Sequence, residues 1–332
     1  MHKDTMEMRS DENWEFKKLT ERNISNIVFL EWKYFSFTAD GIGGFFSYSV
    51  GNPQNLLGLN RCIITYAIYY EDEETMGCEE LSKKECSLDG KRKWIFGRGY
   101  LEKMNEDIWV IHGDNEDVTW DLTFFKVAGG GQILTEYDSI LNINIWMNWK
   151  SLFNSAKVSG RIILKKDKKT FKLDCLGYYD TNFGHWIPSS CPWNWGHCIG
   201  LAEQRITSFS FGERRDKQQK VWGKIFFSID DKTIEFDHRQ YTLEYDRTPK
   251  IPDSFELTAK NEDKNVHLCT KFKAKKHFSL DINAFNFIPM LELHILKGTF
   301  QVEAHLPEGH KISFSSTGLW EFPKKPKYLF RR

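Results

Sequence analysis

Short apolar and aromatic runs recur along this chain at intervals of roughly a dozen residues, with Gly, Asn, Asp or charged residues between them. Few stretches repeat at the period of a helix. That spacing restricts the chain to antiparallel barrels or sandwiches and is incompatible with alternating βαβ units. The first run begins as Ile27-Val28-Phe29-Leu30 and then alternates. As a strand it puts Trp32, Tyr34 and Ser36 on one face and Lys33, Phe35 and Phe37 on the other. Asp40–Gly44 reads as a turn and Phe45–Val50 as the returning strand of a hairpin. Further strands are expected at Cys62–Tyr70, Lys93–Tyr100, Ile108–His112, Val118–Val127, Asn142–Trp149, Val158–Lys166 and Thr170–Leu176. The series resumes at Trp195–Ala202 and ends at Lys311–Phe322. The charged segment Glu71–Lys93 reads as a surface excursion, and Gly129-Gly130-Gly131 as a turn with no phosphate-loop pattern.

About nine strands fall on each side of one central stretch, which predicts two β-domains of similar size. The expected boundaries are a polar arm at 1–20, a first domain at 21–188 and a second at 189–332. Lys+Arg and Asp+Glu both number 46, so the formal charge is zero. A general nucleic-acid or anionic-membrane surface would need a basic excess. No apolar run of about 18 residues is present, so no integral membrane segment is expected. The seven cysteines match no zinc spacing and read as reduced thiols of a cytoplasmic protein, although Cys78 and Cys86 would be free to pair in an exported one. Neither a metal nor a cofactor is called for by any motif.

The central stretch is Gly177-Tyr178-Tyr179-Asp180-Thr181-Asn182-Phe183-Gly184, followed by Cys191-Pro192-Trp193-Asn194-Trp195-Gly196-His197. It crowds an acid, an amide, indoles and, with His185, two histidines into one region. Buried polar groups need partners, so such density marks either a site or a well-satisfied polar core. Aromatics make up 15% of the chain, enough either for a β-rich core or for the walls of an apolar pocket.

These residues resemble the lipocalin-like family of carotenoid hydratases, kievitone hydratase, AttH-like proteins and decalin-forming Diels–Alderases. The family run is of the Gly-Tyr-His-Asp-His-Asn-Trp-Gly type, followed by Trp-x-Trp-Gly, here Trp193-Asn194-Trp195-Gly196. Glu31-Trp32-Lys33-Tyr34-Phe35 is similar to its Glu-Trp-Trp-Tyr-Phe, and Gly318-Leu319-Trp320-Glu321 to its C-terminal Gly-x-x-Glu. The resemblance implies two calycin-like β-domains around an apolar cavity. Tyr179 and Thr181 replace the family histidines and Phe183 its tryptophan, so an activity that needs those imidazoles would not carry over.

On a strand, Tyr178, Asp180 and Asn182 share one face. Asp180 in an aromatic pocket would be held toward its neutral form and would serve as a general acid. The alternative is that Asp180 and Asn182 bond backbone amides at the domain junction. Trp193 and Trp195 would hold an unsaturated ligand and steady developing positive charge, or simply pack the two domains together. Trp32 and Tyr34 are candidates to line a barrel interior. His197 joins the candidate binding residues, although His185 and His197 also suit satisfied loop histidines. Glu31 on an apolar strand needs a partner, and an Arg is expected. The leading expectation is a cofactor-independent cyclase, isomerase or hydratase acting on an apolar, polyunsaturated small molecule near the domain junction, with Asp180 as the catalytic group. The alternatives are a lipid or pigment carrier and a structural module whose cavity is filled by side chains.

Overall fold

The computed structural model describes residues 28–52, 61–88, 92–140, 143–185, 193–215, 221–246, 251–284 and 288–324. The arm at 1–20 and the loop with Pro188, Cys191 and Pro192 lie outside them. The first sheet contains β1 (Phe29–Thr38), β2 (Ile42–Gly51), β3 (Arg61–Tyr70), β4 (Glu73–Leu81), β5 (Cys86–Ser87), β6 (Lys93–Phe96), β7 (Gly99–Asn105), β8 (Ile108–Asp114), β9 (Val118–Ala128), β10 (Gln132–Ile140), β11 (Ile143–Leu164) and β12 (Lys169–His185). Its order is β4-β3-β2-β1-β12-β11-β9-β8-β7-β6-β5, with β10 paired to β11. The second sheet contains β13 (Trp193–Ala202), β14 (Arg205–Arg215), β15 (Val221–Ile229), β16 (Lys232–Asp237), β17 (Tyr241–Glu244), β18 (Ser254–Asn261), β19 (Val266–Ala284), β20 (Ile288–His305) and β21 (Lys311–Lys324). Its order is β16-β15-β14-β13-β21-β20-β19-β18-β17. Both sheets curl into nearly closed antiparallel barrels, which is the all-β, lipocalin-like architecture expected.

Alternation explains why the barrels close around packed cores. On β9, Val118, Trp120, Leu122 and Phe124 are buried at every second position. They join Trp94, Trp109, Phe35 and Tyr179 in the first core, so that barrel is filled by its own side chains. Phe209, Phe211, Phe255, Phe272, Phe300 and Trp320 fill the second. A third buried cluster belongs to neither interior. It joins Tyr34, Phe45, Trp149 and Tyr178 of the first sheet to Trp193, Trp195, Ile199 and Phe226 of the second. Gly212 permits this contact, because a Cβ there would stand 2.6 Å from Cγ2 of Ile133 and 3.0 Å from the Trp149 ring.

Several sequence expectations need correction. The expected strands Asn142–Trp149 and Val158–Lys166 merge, over 143–149 and 158–164, into one strand, β11, whose register shifts between Ser151 and Ala156 absorb the break in the pattern. Within the supposed excursion Glu71–Lys93, Glu73–Leu81 form the strand β4, whose outward positions are charged because it ends the sheet. The described residues hold twelve strands before the 186–192 segment and nine after it. Among the described residues Glu31 has Lys33 as a partner: Nζ of Lys33 lies 3.0 Å from Oε1 of Glu31, and both side chains are buried. Burial pulls the Lys33 ammonium down while Glu31 holds it up. The six described cysteines are free, and no described helix is long and apolar enough to cross a membrane.

Candidate active site

Each sheet pairs the first strand of its segment with the last, β1 with β12 and β13 with β21. That topology carries residues far apart in sequence to one place. Tyr34 stands directly across from Asp180, Trp32 across from Asn182, and Trp195 across from Glu321. The central run is wholly inside β12, so its residues alternate as expected. Tyr179 faces the first barrel core, whereas Tyr178, with Tyr34, faces the second sheet. Trp32 and Tyr34 therefore do not line a barrel interior. They face outward into the junction.

A cavity of about 140 Å³ opens there. The first sheet lines it with Trp32, Tyr34, Phe45, Ser47, Ser49, Thr65, Cys78, Trp149 and Asp180, and the second with Trp193, Trp195, Leu293 and Glu321. Five of the eight candidate residues thus share its walls: Trp32, Tyr34, Asp180, Trp193 and Trp195. The aromatic rings support one another. Tyr34 stacks on Phe45 at 5.0 Å and meets the edge of Trp195 at 5.0 Å, and Trp32 leans on Trp193 at 6.0 Å.

Tyr178 and His197 stand one layer behind. The Tyr178 hydroxyl donates to Oδ2 of Asp180 at 3.1 Å and accepts from Nε1 of Trp195 at 3.4 Å. His197 stacks flat on the Tyr178 ring, with centroids 4.7 Å apart. It is a strand residue of β13, so the loop-histidine reading is corrected. Its Nε2 shares a hydrogen bond with the Ser36 hydroxyl at 3.0 Å, while Nδ1 has no hydrogen-bond partner. Burial pulls its pKa down to about 3, so the ring is neutral at ordinary pH. His185 ends β12 against the edge of Phe29. Asn182 does not line the cavity, and its amide points at the Met147 sulfur, 3.2 Å away.

Two carboxyl groups face this apolar space. Burial pushes Asp180 up to about 7, with Tyr178 and the indole of Trp149 holding it back. Its Oδ1 has no partner in hydrogen-bond geometry, nor do the Tyr34 hydroxyl and the Trp149 N–H. Burial pushes Glu321 up to about 8; the nearby Asp180 charge adds to the shift and the Tyr34 hydroxyl opposes it. Glu321 is a functional candidate that the sequence reading did not place in the site. The signal was present in the Gly318-Leu319-Trp320-Glu321 run, whose register against β13 puts Glu321 beside Trp195. Trp149, Ser47, Ser49 and Thr65 carried no such mark. No cluster of three metal-ligating side chains occurs among the described residues.

No protein-family model matches this sequence, and no curated protein does. Solved structures do match the fold. A provisionally named AttH from Nitrosomonas europaea superposes with a TM-score of 0.58 at 11% identity, over 90% of this chain and 93% of that one. Kievitone hydratase from Nectria haematococca gives 0.58 at 12% identity over 94% of each chain. CghA, solved with Sch210972, gives 0.58 at 10% identity over 89% of this chain and 88% of its own. This chain has their fold. It is also the fold that the central run, the β1 motif and the C-terminal Gly-x-x-Glu imply. Within it, the junction cavity is built by positions from all three of those motifs: Trp32 and Tyr34, Asp180 with Trp193 and Trp195, and Glu321.

Proposed function

We propose that this protein is a cofactor-independent enzyme acting on an uncharged, unsaturated small molecule in the junction cavity, with Asp180 as general acid. The observation that carries the reading is the Asp180 carboxyl. It lies in an aromatic-walled cavity with one oxygen tied to Tyr178 and the other unpartnered, and its pKa is raised to about 7. An acid poised near ambient pH gives and takes a proton with little loss in either direction. Positive charge that develops on a protonated alkene or carbonyl would meet the indole faces of Trp193 and Trp195. Glu321, the second raised carboxyl, would receive a proton or hold a water on the facing wall. Hydration, double-bond isomerisation and acid-assisted cyclisation all fit this arrangement. The presence of a hydratase among proteins of this fold supports the first.

The runner-up is a carrier, favoured by the apolar walls alone. Asp180→Asn separates the two, because it keeps the size and removes the acid. For an enzyme, turnover should fall by about 10²–10⁴-fold while binding of a neutral apolar fluorophore such as N-phenyl-1-naphthylamine stays nearly unchanged. Product formation that survives the substitution at full rate would overturn the general-acid role. Tight retention of a co-purified, chemically unaltered lipid would favour the carrier.

A further inference from the structure

The wall that the first sheet gives the cavity carries a row of polar groups, and its layout is regular. Residues directly opposite one another in an antiparallel pair present side chains on the same face. Asp180 of β12 is opposite Tyr34 of β1, Tyr34 opposite Ser47 of β2, Ser47 opposite Thr65 of β3, and Thr65 opposite Cys78 of β4. All five line the cavity. They form a straight row, one residue per strand, from the buried carboxyl to an exposed thiol. At its deep end two polar atoms, Oδ1 of Asp180 and the Tyr34 hydroxyl, have no hydrogen-bond partner. Farther out, the Thr65 hydroxyl reaches the Cys78 sulfur at 3.9 Å, a long and weak contact. The facing wall, from the second sheet, is mostly apolar: Trp193, Trp195 and Leu293 line it, with the single carboxyl of Glu321 beside Trp195.

A pure hydrocarbon in this space would satisfy the indole wall and leave Oδ1 of Asp180 and the Tyr34 hydroxyl unpaired. Each buried polar group left so costs about 1–3 kcal/mol. The volume of about 140 Å³ is close to that of a cavity known to take one benzene ring. We propose that the cavity takes an oxygenated, unsaturated single-ring compound, lying flat under the indoles with its hydroxyl or carbonyl groups laid along the Asp180–Tyr34–Ser47–Thr65 row. The inference rests on the junction cavity being a ligand site, and it narrows the ligand from an apolar molecule to an amphipathic one with a polar edge. Larger ligands would place such a ring inside and extend past Cys78.

Matched probes test it. Toluene and p-cresol differ by one hydroxyl. Water holds p-cresol better, so a cavity without polar recognition binds toluene the more tightly. A cavity that reads the hydroxyl reverses that order, because rejection of the analogue lacking the group is strong. Calorimetric or NMR titration of the full chain should show p-cresol binding at least tenfold more tightly than toluene. Ser47→Ala combined with Thr65→Val should remove most of that preference while toluene affinity is kept. Tyr34→Phe serves as a second, nearly isosteric probe should the double variant fail to fold, and it should also reduce the preference. Toluene binding as tightly as p-cresol, or a preference that survives these substitutions, overturns the polar-edge proposal alone. Binding of neither probe overturns it together with the ligand-site reading on which it depends.

Discussion

At the scale of single residues, the site depends on two acids that share an aromatic-walled space. Asp180 and Glu321 are each lifted by burial, and the charge of Asp180 also raises Glu321. Asp180 ionises first, so its charge is already present when Glu321 gives up its proton. Asp180→Asn should therefore lower the pKa of Glu321 from about 8, shifting the carbonyl stretch of its protonated carboxyl to lower pH in an infrared titration. An unmoved Glu321 titration would show that the two groups do not sense each other. Of these two residues only Asp180 was legible in the sequence as a site. Its neighbours along the strand fixed its face, whereas Glu321 becomes a partner only once β21 is laid beside β13. The same holds for Lys33. The sequence called for a cation near Glu31, and the nearest one on the same strand face supplies it.

At the scale of elements, the register shifts of β11 set how the two sheets meet. They turn Asn154 toward the second sheet, where its amide donates to Oγ of Ser208 at 3.0 Å and of Ser228 at 2.6 Å and its carbonyl accepts from Ser210. Ser228 shares a bond with Thr233, which donates back to the Gly129 carbonyl at 2.6 Å. Asn154 is fully buried, so Asn154→Ala would take a partner from the hydroxyls of Ser208, Ser210 and Ser228 at once. It should cost about 2–4 kcal/mol in chemical denaturation, whereas Ser315→Ala, in the second sheet away from this network, should cost under about 1 kcal/mol. Equal effects would deny the network a role in the junction. Strand positions and faces were readable because side-chain alternation is local. The length of β11 and its bulges were not, since a bulge offsets the pattern and mimics a loop, and the network it creates joins residues more than fifty positions apart.

At the scale of the whole molecule, buried titratable groups pull stability in opposite directions with pH. Asp180 and Glu321 have folded pKa values raised to about 7 and about 8. The folded state holds their protons more tightly than the unfolded chain, so their contribution is complete at low pH and is lost as pH rises through about 7 and 8. His197, pulled down to about 3, works the other way: its contribution is complete above the ordinary histidine value and is lost as pH falls toward 3. Each pH step across such a window is worth at most about 1.4 kcal/mol per group. Melting temperature should thus pass through a maximum on the acid side of neutrality. Glu321→Gln should flatten the alkaline limb and His197→Phe the acid limb; limbs that keep their slopes in both variants would refute the assignment. The junction cavity has one more consequence. Because each barrel supplies only part of its wall, any molecule bound there recognises the docked pair and neither barrel alone. By mass action its binding free energy becomes cohesion between the two halves, about 2.7 kcal/mol at a hundred times its dissociation constant. A protein loaded with its ligand would then melt as one cooperative unit, and the empty one would be the form in which the halves are free to part company.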